Sequence, residues 1–290
     1  MDIVAAVVGM MLVVLVVWEV FNDIFHPTNS GALSDWLGRR LFNLFRRTKT
    51  MLPVAGPLAL VSTIAVWVSL LMLGFACIFY GSVPAGFRTS TAEFPQVTHR
   101  FATALYVSAQ TLTTLAFGDV VAFSGPMRAA AALEGLIGFG VVTASVSTIV
   151  LIYPALSRMR LLARGVTHIV AAERTTGLQM ARTGSDLIHA NLARDVTNTR
   201  IDLIHFPILY YFTSVHREGS VAFALPHLVR FAREGQQADV PAHVRLAAAA
   251  LDRALDDLAD ALAERFVKTD RKDRAAAFAA FARDHAVEIQ

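Results

Sequence analysis

Three long apolar stretches, at about residues 3–25, 57–80 and 127–153, constrain this chain more than any other feature. At about 1.5 Å of rise per helical residue, each is long enough to cross about 30 Å of hydrocarbon. Lipid offers no partners to backbone amides, so stretches of this kind are expected as helices that satisfy their own hydrogen bonds. Composition points the same way, with 55% hydrophobic residues and only 17% charged ones, against about 25% charged in ordinary soluble domains. The apolar residues crowd the first half, while the second half is charged and alanine-rich, which predicts a membrane part followed by a polar one. A lone cysteine, Cys77, rules out a disulfide framework and leaves the redox compartment unread. The net charge of +3 gives no argument for nucleic acid as a partner. The first stretch lacks a basic start and ends in Trp18, Glu19, Asn22 and Asp23 rather than a small-residue cleavage site, so it reads as a retained span and not a signal peptide.

Basic residues in the short loops set an orientation. Arg39, Arg40, Arg46, Arg47 and Lys49 follow the first span, and Arg158, Arg160 and Arg164 follow the third. Between the second and third spans the flanks carry only Arg88, Arg100 and Arg128. The expectation is a multi-pass protein of the cell (inner) membrane, its N-terminus outside and its C-terminus cytoplasmic. The linker at about 32–48 repeats Leu33, Trp36, Leu37, Leu41, Leu44 and Phe45 at helical spacing with arginines between them. That pattern predicts an amphipathic helix in the inner interface, acting as a collar on the pore helices or as a simple anchor.

Between the second and third spans lies Thr111-Leu112-Thr113-Thr114-Leu115-Ala116-Phe117-Gly118-Asp119, too polar to cross a bilayer. Irregular backbone at membrane depth is tolerated only where protein buries it or where it lines water. A Thr-rich helix end, a small-residue run and Gly-Asp provide what a cation filter needs: carbonyl oxygens to replace an ion's hydration shell and a carboxylate at the mouth. The run resembles the signature of the potassium-channel superfamily, Thr-x-x-Thr-x-Gly-Tyr/Phe-Gly-Asp, in its bacterial two-helix pore form with an extra N-terminal span. Phe117 and Leu115 are variants that family uses; Ala116 replaces its first filter glycine. If that position takes positive φ, alanine there costs about 1–2 kcal/mol, or about 4–8 kcal/mol over four copies, and potassium preference weakens.

The resemblance implies a re-entrant loop entering from outside and a homotetramer, since one loop per chain cannot close a ring of carbonyls. A short helix at about 101–112, with Phe101, Leu105, Ser108 and Leu112 on one face, would aim its negative C-terminal end at the axis. Thr114 would form the base of the filter, and the carbonyls of Thr114, Leu115, Ala116 and Phe117 would ligate a permeant monovalent cation, with potassium expected. Gly118 supplies a turn that residues bearing a Cβ resist. Asp119 at the mouth is expected to hydrogen-bond back to Gln110, with Thr111 and Thr113 supporting the helix end. In the third span Gly138, beside Gly135 and Gly140, marks a hinge or a close approach. Thr143, Ser145, Ser147 and Thr148 either line a wet cavity or bond their own backbone. Tyr153-Pro154 either bends this helix or ends the span. An acid within a span needs a partner: Glu134 is expected to hold the pore helix through a Thr or Gln of the 108–114 stretch, whereas Glu19 reads as interfacial.

The second half predicts helices only. It lacks a Gly-x-Gly-x-x-Gly loop after a strand, and its histidines lack metal-ligand spacing. Residues 201–215 are too short and polar for a fourth span and read as a buried helix. Residues 247–267 carry Leu251, Leu255, Leu258, Leu262 and Phe266 as one apolar stripe, expected in an intrachain bundle. The chain is thus read as an all-α membrane protein with three transmembrane helices, a re-entrant pore loop between the second and third, and a C-terminal cytoplasmic helical domain. Its expected divisions are 1–26, an N-terminal span; 27–56, a basic linker; 57–156, the pore region; and 157–290, the cytoplasmic domain with an unidentified ligand or partner. The expected role is passive cation conduction, without catalysis or a cofactor beyond the permeant ion. The rival reading is a non-conducting membrane sensor or scaffold.

Overall fold

Each apolar stretch forms a single unbroken helix in the computed structural model, which describes residues 3–25, 31–46, 52–89, 99–183, 185–214, 216–267, 269–270 and 273–285. The helices are α1 (Ile3–Phe25), α3 (Leu52–Tyr80) and α5 (Gly125–Thr176). Among the described residues these three are long and apolar enough to cross a membrane. Between α1 and α3 lies α2 (Ala32–Arg46). Two differences from the expected bounds involve proline. Helix α3 starts at Leu52 and passes through Pro57, and α5 continues beyond Tyr153-Pro154 to Thr176 rather than ending there. A helical proline forfeits one backbone hydrogen bond. Packing holds the turns beyond Pro154, where Ala155, Leu156, Met159 and Leu162 are buried in one core.

The chain divides into two compact units, residues 1–34 with 61–150 and residues 35–60 with 151–290. The first unit packs Val13, Val16 and Val20 of α1 and Trp67, Leu71, Phe75 and Phe79 of α3 around a short helix, α4 (Arg100–Leu112). Membrane helices gain little from hydrophobic burial against one another, so close backbone approach carries their association. Gly9 and Gly74 provide it here. A Cβ on Gly9 would lie 2.3 Å from the Gly74 carbonyl oxygen, and one on Gly74 would lie 2.9 Å from Val13 Cγ2. Two three-residue strands were not anticipated: β1 (Phe87–Thr89) pairs antiparallel with β2 (Val120–Ala122), Phe87 opposite Ala122.

Glu19 finds its partners within the chain. It is buried, and its Oε1 accepts the amides of Leu33 at 2.6 Å and Ser34 at 3.4 Å. Asp23 Oδ1 accepts the Gly31 amide at 3.1 Å. Glu19 therefore satisfies two of the first amides of α2, where the helix dipole is positive, and Asp23 holds the residue just before it.

Among its described residues the second unit contains helices and no strand. It comprises the later turns of α5 with α6 (Asp186–His205), α7 (Val221–Gly235), α8 (Ala242–Arg265) and α9 (Arg274–Asp284). The stripe Leu251, Leu255, Leu258 and Leu262 lies in the core beside Leu203, Leu225, Leu228 and Phe231. The stretch expected as one buried helix at 201–215 is broken. Pro207 drives Phe206 to φ −125°, α6 stops, and a 3-10 turn follows at Pro207–Tyr211. Asp202 remains in α6, held by Arg158 through two hydrogen bonds of 3.0 and 2.7 Å. The linker helix also departs from its expected stripe. Phe42 of α2 is buried, its ring 5.9 Å from Tyr210 and 5.4 Å from Tyr211, whereas Trp36 and Leu44 are exposed. Gly38 lets α2 close on Tyr211, whose Cε2 would lie 2.6 Å from an added Cβ.

Two predictions follow from this packing. Gly9→Ala pushes α1 off a backbone oxygen that cannot yield, and is expected to lower stability by about 1–3 kcal/mol. Gly165→Ala, with nothing within 4 Å of its Cβ, is the neutral control; thermal unfolding of the purified protein in detergent compares them. Burial holds the imidazoles of His227 and His285 below the ordinary 6.5, aided at His227 by Arg230 and Arg174 and opposed at His285 by the carbonyls of Phe281 and Tyr210. A fold that favours the neutral ring keeps that stabilisation above the ordinary value and loses it as pH falls from there through the lowered one. Unfolding midpoints should therefore fall as the pH drops below about 6.5, and the His227→Gln/His285→Gln variant should show a shallower fall.

Candidate functional site

Helix α4 runs at the expected place, from Arg100 to Leu112, with Ala104, Val107, Ser108, Gln110 and Leu112 buried. Its last turn carries no basic residue, so nothing there offsets the negative end of its dipole. Thr113 closes the helix, its amide bonded to the Ala109 carbonyl at 3.1 Å. The chain then turns sharply. The amides of Leu115 and Ala116 both bond to the Gln110 carbonyl, at 3.0 and 3.3 Å, and the Thr114 amide bonds to Thr111. The Gln110 side chain reaches past the loop, its Nε2 donating to the Val120 carbonyl at 2.9 Å.

Within the loop the sign of φ alternates. Thr114, Ala116 and Gly118 have φ of +59°, +42° and +80°, while Leu115 and Phe117 between them are not positive. Only glycine takes this region at little cost, so Thr114 and Ala116 are the strained positions. The condition posed for Ala116, positive φ, is met. Thr113 through Gly118 are all exposed in the single chain.

The expected bond between Asp119 and Gln110 is not formed. Asp119 Oδ2 instead accepts the Tyr106 hydroxyl at 2.7 Å, and Gln110 is engaged with Val120. Tyr106 was not anticipated, although it lies one helical turn before Gln110. Thr111 and Thr113 support α4 through its own backbone, their hydroxyls bonded to the carbonyls of Val107 and Ala109, each at 2.7 Å.

Helix α5 backs this arrangement from behind. Glu134 is fully buried and hydrogen-bonded to the Ser108 hydroxyl, which also lies 2.9 Å from the Met72 carbonyl. One turn on, Gly138 meets the end of α4, and a Cβ there would lie 2.5 Å from the Leu112 carbonyl oxygen. Residues 134 and 138 thus face 108 and 112, the same offset of four on both helices. Gly138 serves close approach at this contact. The hydroxyls of Ser145, Ser147 and Thr148 bond to the carbonyls of Val141, Thr143 and Ala144 four residues earlier. Own-backbone bonding describes these three, and the Thr143 side chain is exposed.

Chemically, the site is a short helix ending in a loop of alternating hand, with a carboxylate at the loop's far end and a third helix braced behind it. Residues 63–153, which run from α3 through α4 and the loop into α5, match the family model described as Ion channel. The chain therefore carries, over that segment, a two-helix potassium-channel-like ion channel domain. The uncharacterized membrane protein YdjJ of Bacillus subtilis (strain 168) is 25% identical over 195 residues, 65% of this chain and 56% of the relative, so the chain spans little more than half of that protein. No solved structure matches the chain. With three apolar helices and a membrane protein as relative, the chain is a multi-pass membrane protein.

Ala116→Gly should relieve about 1–2 kcal/mol per chain at the φ of +42°. Ala116→Val, which adds a β-branch at the same φ, should destabilise. Unfolding midpoints of the two variants in detergent are expected to move in opposite directions from that of the parent chain.

Proposed function

We propose that four copies of this chain surround a pore and conduct a monovalent cation passively, potassium being the expected ion. The observation that carries this reading is the alternation of φ through Thr114, Ala116 and Gly118 at the C-terminal end of α4. Backbone that alternates in hand brings successive amides to one side and successive carbonyls to the other. The carbonyls of Thr114, Leu115, Ala116 and Phe117 then form a column of oxygens, and Asp119, held by Tyr106, gathers cations at its mouth. Gln110, with Thr111 and Thr113 in the same helix end, fixes the base of the loop. Glu134 and Gly138 hold α4 against α5, and Thr143 and Ser147 lie on the α5 segment beyond the loop. Exposure of the loop in the single chain favours enclosure by neighbouring copies, since irregular backbone at membrane depth must be buried in protein or line water.

In this reading 1–26 is a peripheral span, 27–56 the basic linker, 57–156 the pore region and 157–290 a cytoplasmic helical domain, with the N-terminus outside the inner membrane. The asymmetry of basic residues between loops supports that orientation. A second reading, a non-conducting sensor or scaffold built on a channel fold, draws on the strain at Ala116.

Reconstitution in liposomes tests both. Potassium flux down a gradient is expected, with a reversal potential in mixed potassium and sodium that discriminates less than a filter with glycine at 116 would. Ala116→Gly should shift that potential toward the potassium value. Absence of flux at every voltage and pH, in the parent chain and in Ala116→Gly alike, would establish the scaffold reading.

A further inference from the structure

Helix α2 has two faces of different character, and only one is covered. Gly38 and Phe42 turn into the bundle of the second unit, against Tyr211 and Tyr210. At about 100° per residue, both lie about 160° around the helix from Arg40. On that opposite side Trp36, Arg40 and Leu44 follow one another at intervals of four. Trp36 is 56% exposed and Leu44 61%. The Arg40 guanidinium lies 5.7 Å from the centre of the Trp36 ring, whereas Arg39, nearer the covered side, is paired with Asp35 at 3.4 Å. We infer that this outward face, Trp36, Arg40 and Leu44, is a docking surface for anionic lipid headgroups.

Chain position confines α2 to a membrane surface. Six residues separate it from the end of α1 and five from the start of α3. At no more than about 3.5 Å per residue, neither connection lets the helix stray more than about 20 Å from a span end. Glu19, in the last turns of α1, holds its first amides, and Asp23 holds the Gly31 amide just before them. The side chains suit the headgroup layer. Tryptophan prefers that depth, leucine adds a shallow apolar anchor, and arginines meet phosphates there. Charge selects the lipid: α2 carries Arg39, Arg40 and Arg46 against Asp35, and Arg47 and Lys49 follow in the chain. Clustered basic residues beside a span favour anionic over zwitterionic headgroups. The same charge disfavours a second copy of this chain as the occupant, since the centres of protein interfaces are depleted in charge and a self-facing pair would oppose arginine to arginine.

The inference is independent of whether the pore conducts. Its test uses the full chain in vesicles of phosphatidylcholine, with and without phosphatidylglycerol, with Cys77→Ser and a spin label at Leu44→Cys. The control label is at Leu246→Cys on α8, where the native leucine is 75% exposed. The label at 44 should collide more with oxygen and less with a water-soluble nickel chelate than the label at 246. Phosphatidylglycerol should widen that difference, and Arg40→Gln should reduce the gain. Two results would overturn the inference: a label at 44 as open to the nickel chelate as the control, or dipolar broadening between labels at 44 on different chains, which would mean that a second copy covers the face.

Discussion

Gln110 closes the loop after α4 from both ends, and the arrangement around it depends on that closure. Its backbone carbonyl receives the amides of Leu115 and Ala116, and its side-chain amide reaches the Val120 carbonyl beyond the loop. A loop with no strand or helix of its own must place its amides somewhere. Here two of them converge on one helical carbonyl, which forces the tight turn and the left-handed residues within it. The strain at Thr114 and Ala116 persists because these bonds, with the Tyr106–Asp119 bond further on, over-determine the path.

Around this loop the helices are held by close approach and a few buried polar bonds. Gly138 admits the Leu112 carbonyl, Gly9 admits that of Gly74, and the Ser108 hydroxyl joins Glu134 to the α4–α3 contact. Between apolar helices in lipid, van der Waals fit and buried hydrogen bonds do what water exclusion does elsewhere. A carboxyl group buried in such a place is costly without a partner, and its bond to α4 makes Glu134 part of the loop's support.

The second unit rests on ordinary burial. Leucines of α8 interlock with those of α6 and α7, and Phe42 of α2 enters the same core beside Tyr210 and Tyr211. A helix whose sequence reads as one amphipathic stripe is in fact divided between two surroundings, with Phe42 inside the bundle and Trp36 and Leu44 outside it.

Local pattern made much of this legible. Apolar runs marked all three long helices, the spacing of Phe101, Leu105, Ser108 and Leu112 marked α4, and the leucine stripe marked α8, because helix period and burial are written in neighbouring residues. An acid inside an apolar run has to find a partner, but for Glu134 that partner is Ser108 and not the Thr or Gln expected. Left undecided were the choices among partners: Tyr106 rather than Gln110 for Asp119, the amides of α2 for Glu19, the helix's own carbonyls for Ser145, Ser147 and Thr148, and the short pairing of β1 with β2. Each of these is a competition among several chemically adequate groups. Sequence determines which groups compete; only the three-dimensional packing, by bringing one of them within hydrogen-bonding reach, decides which is taken.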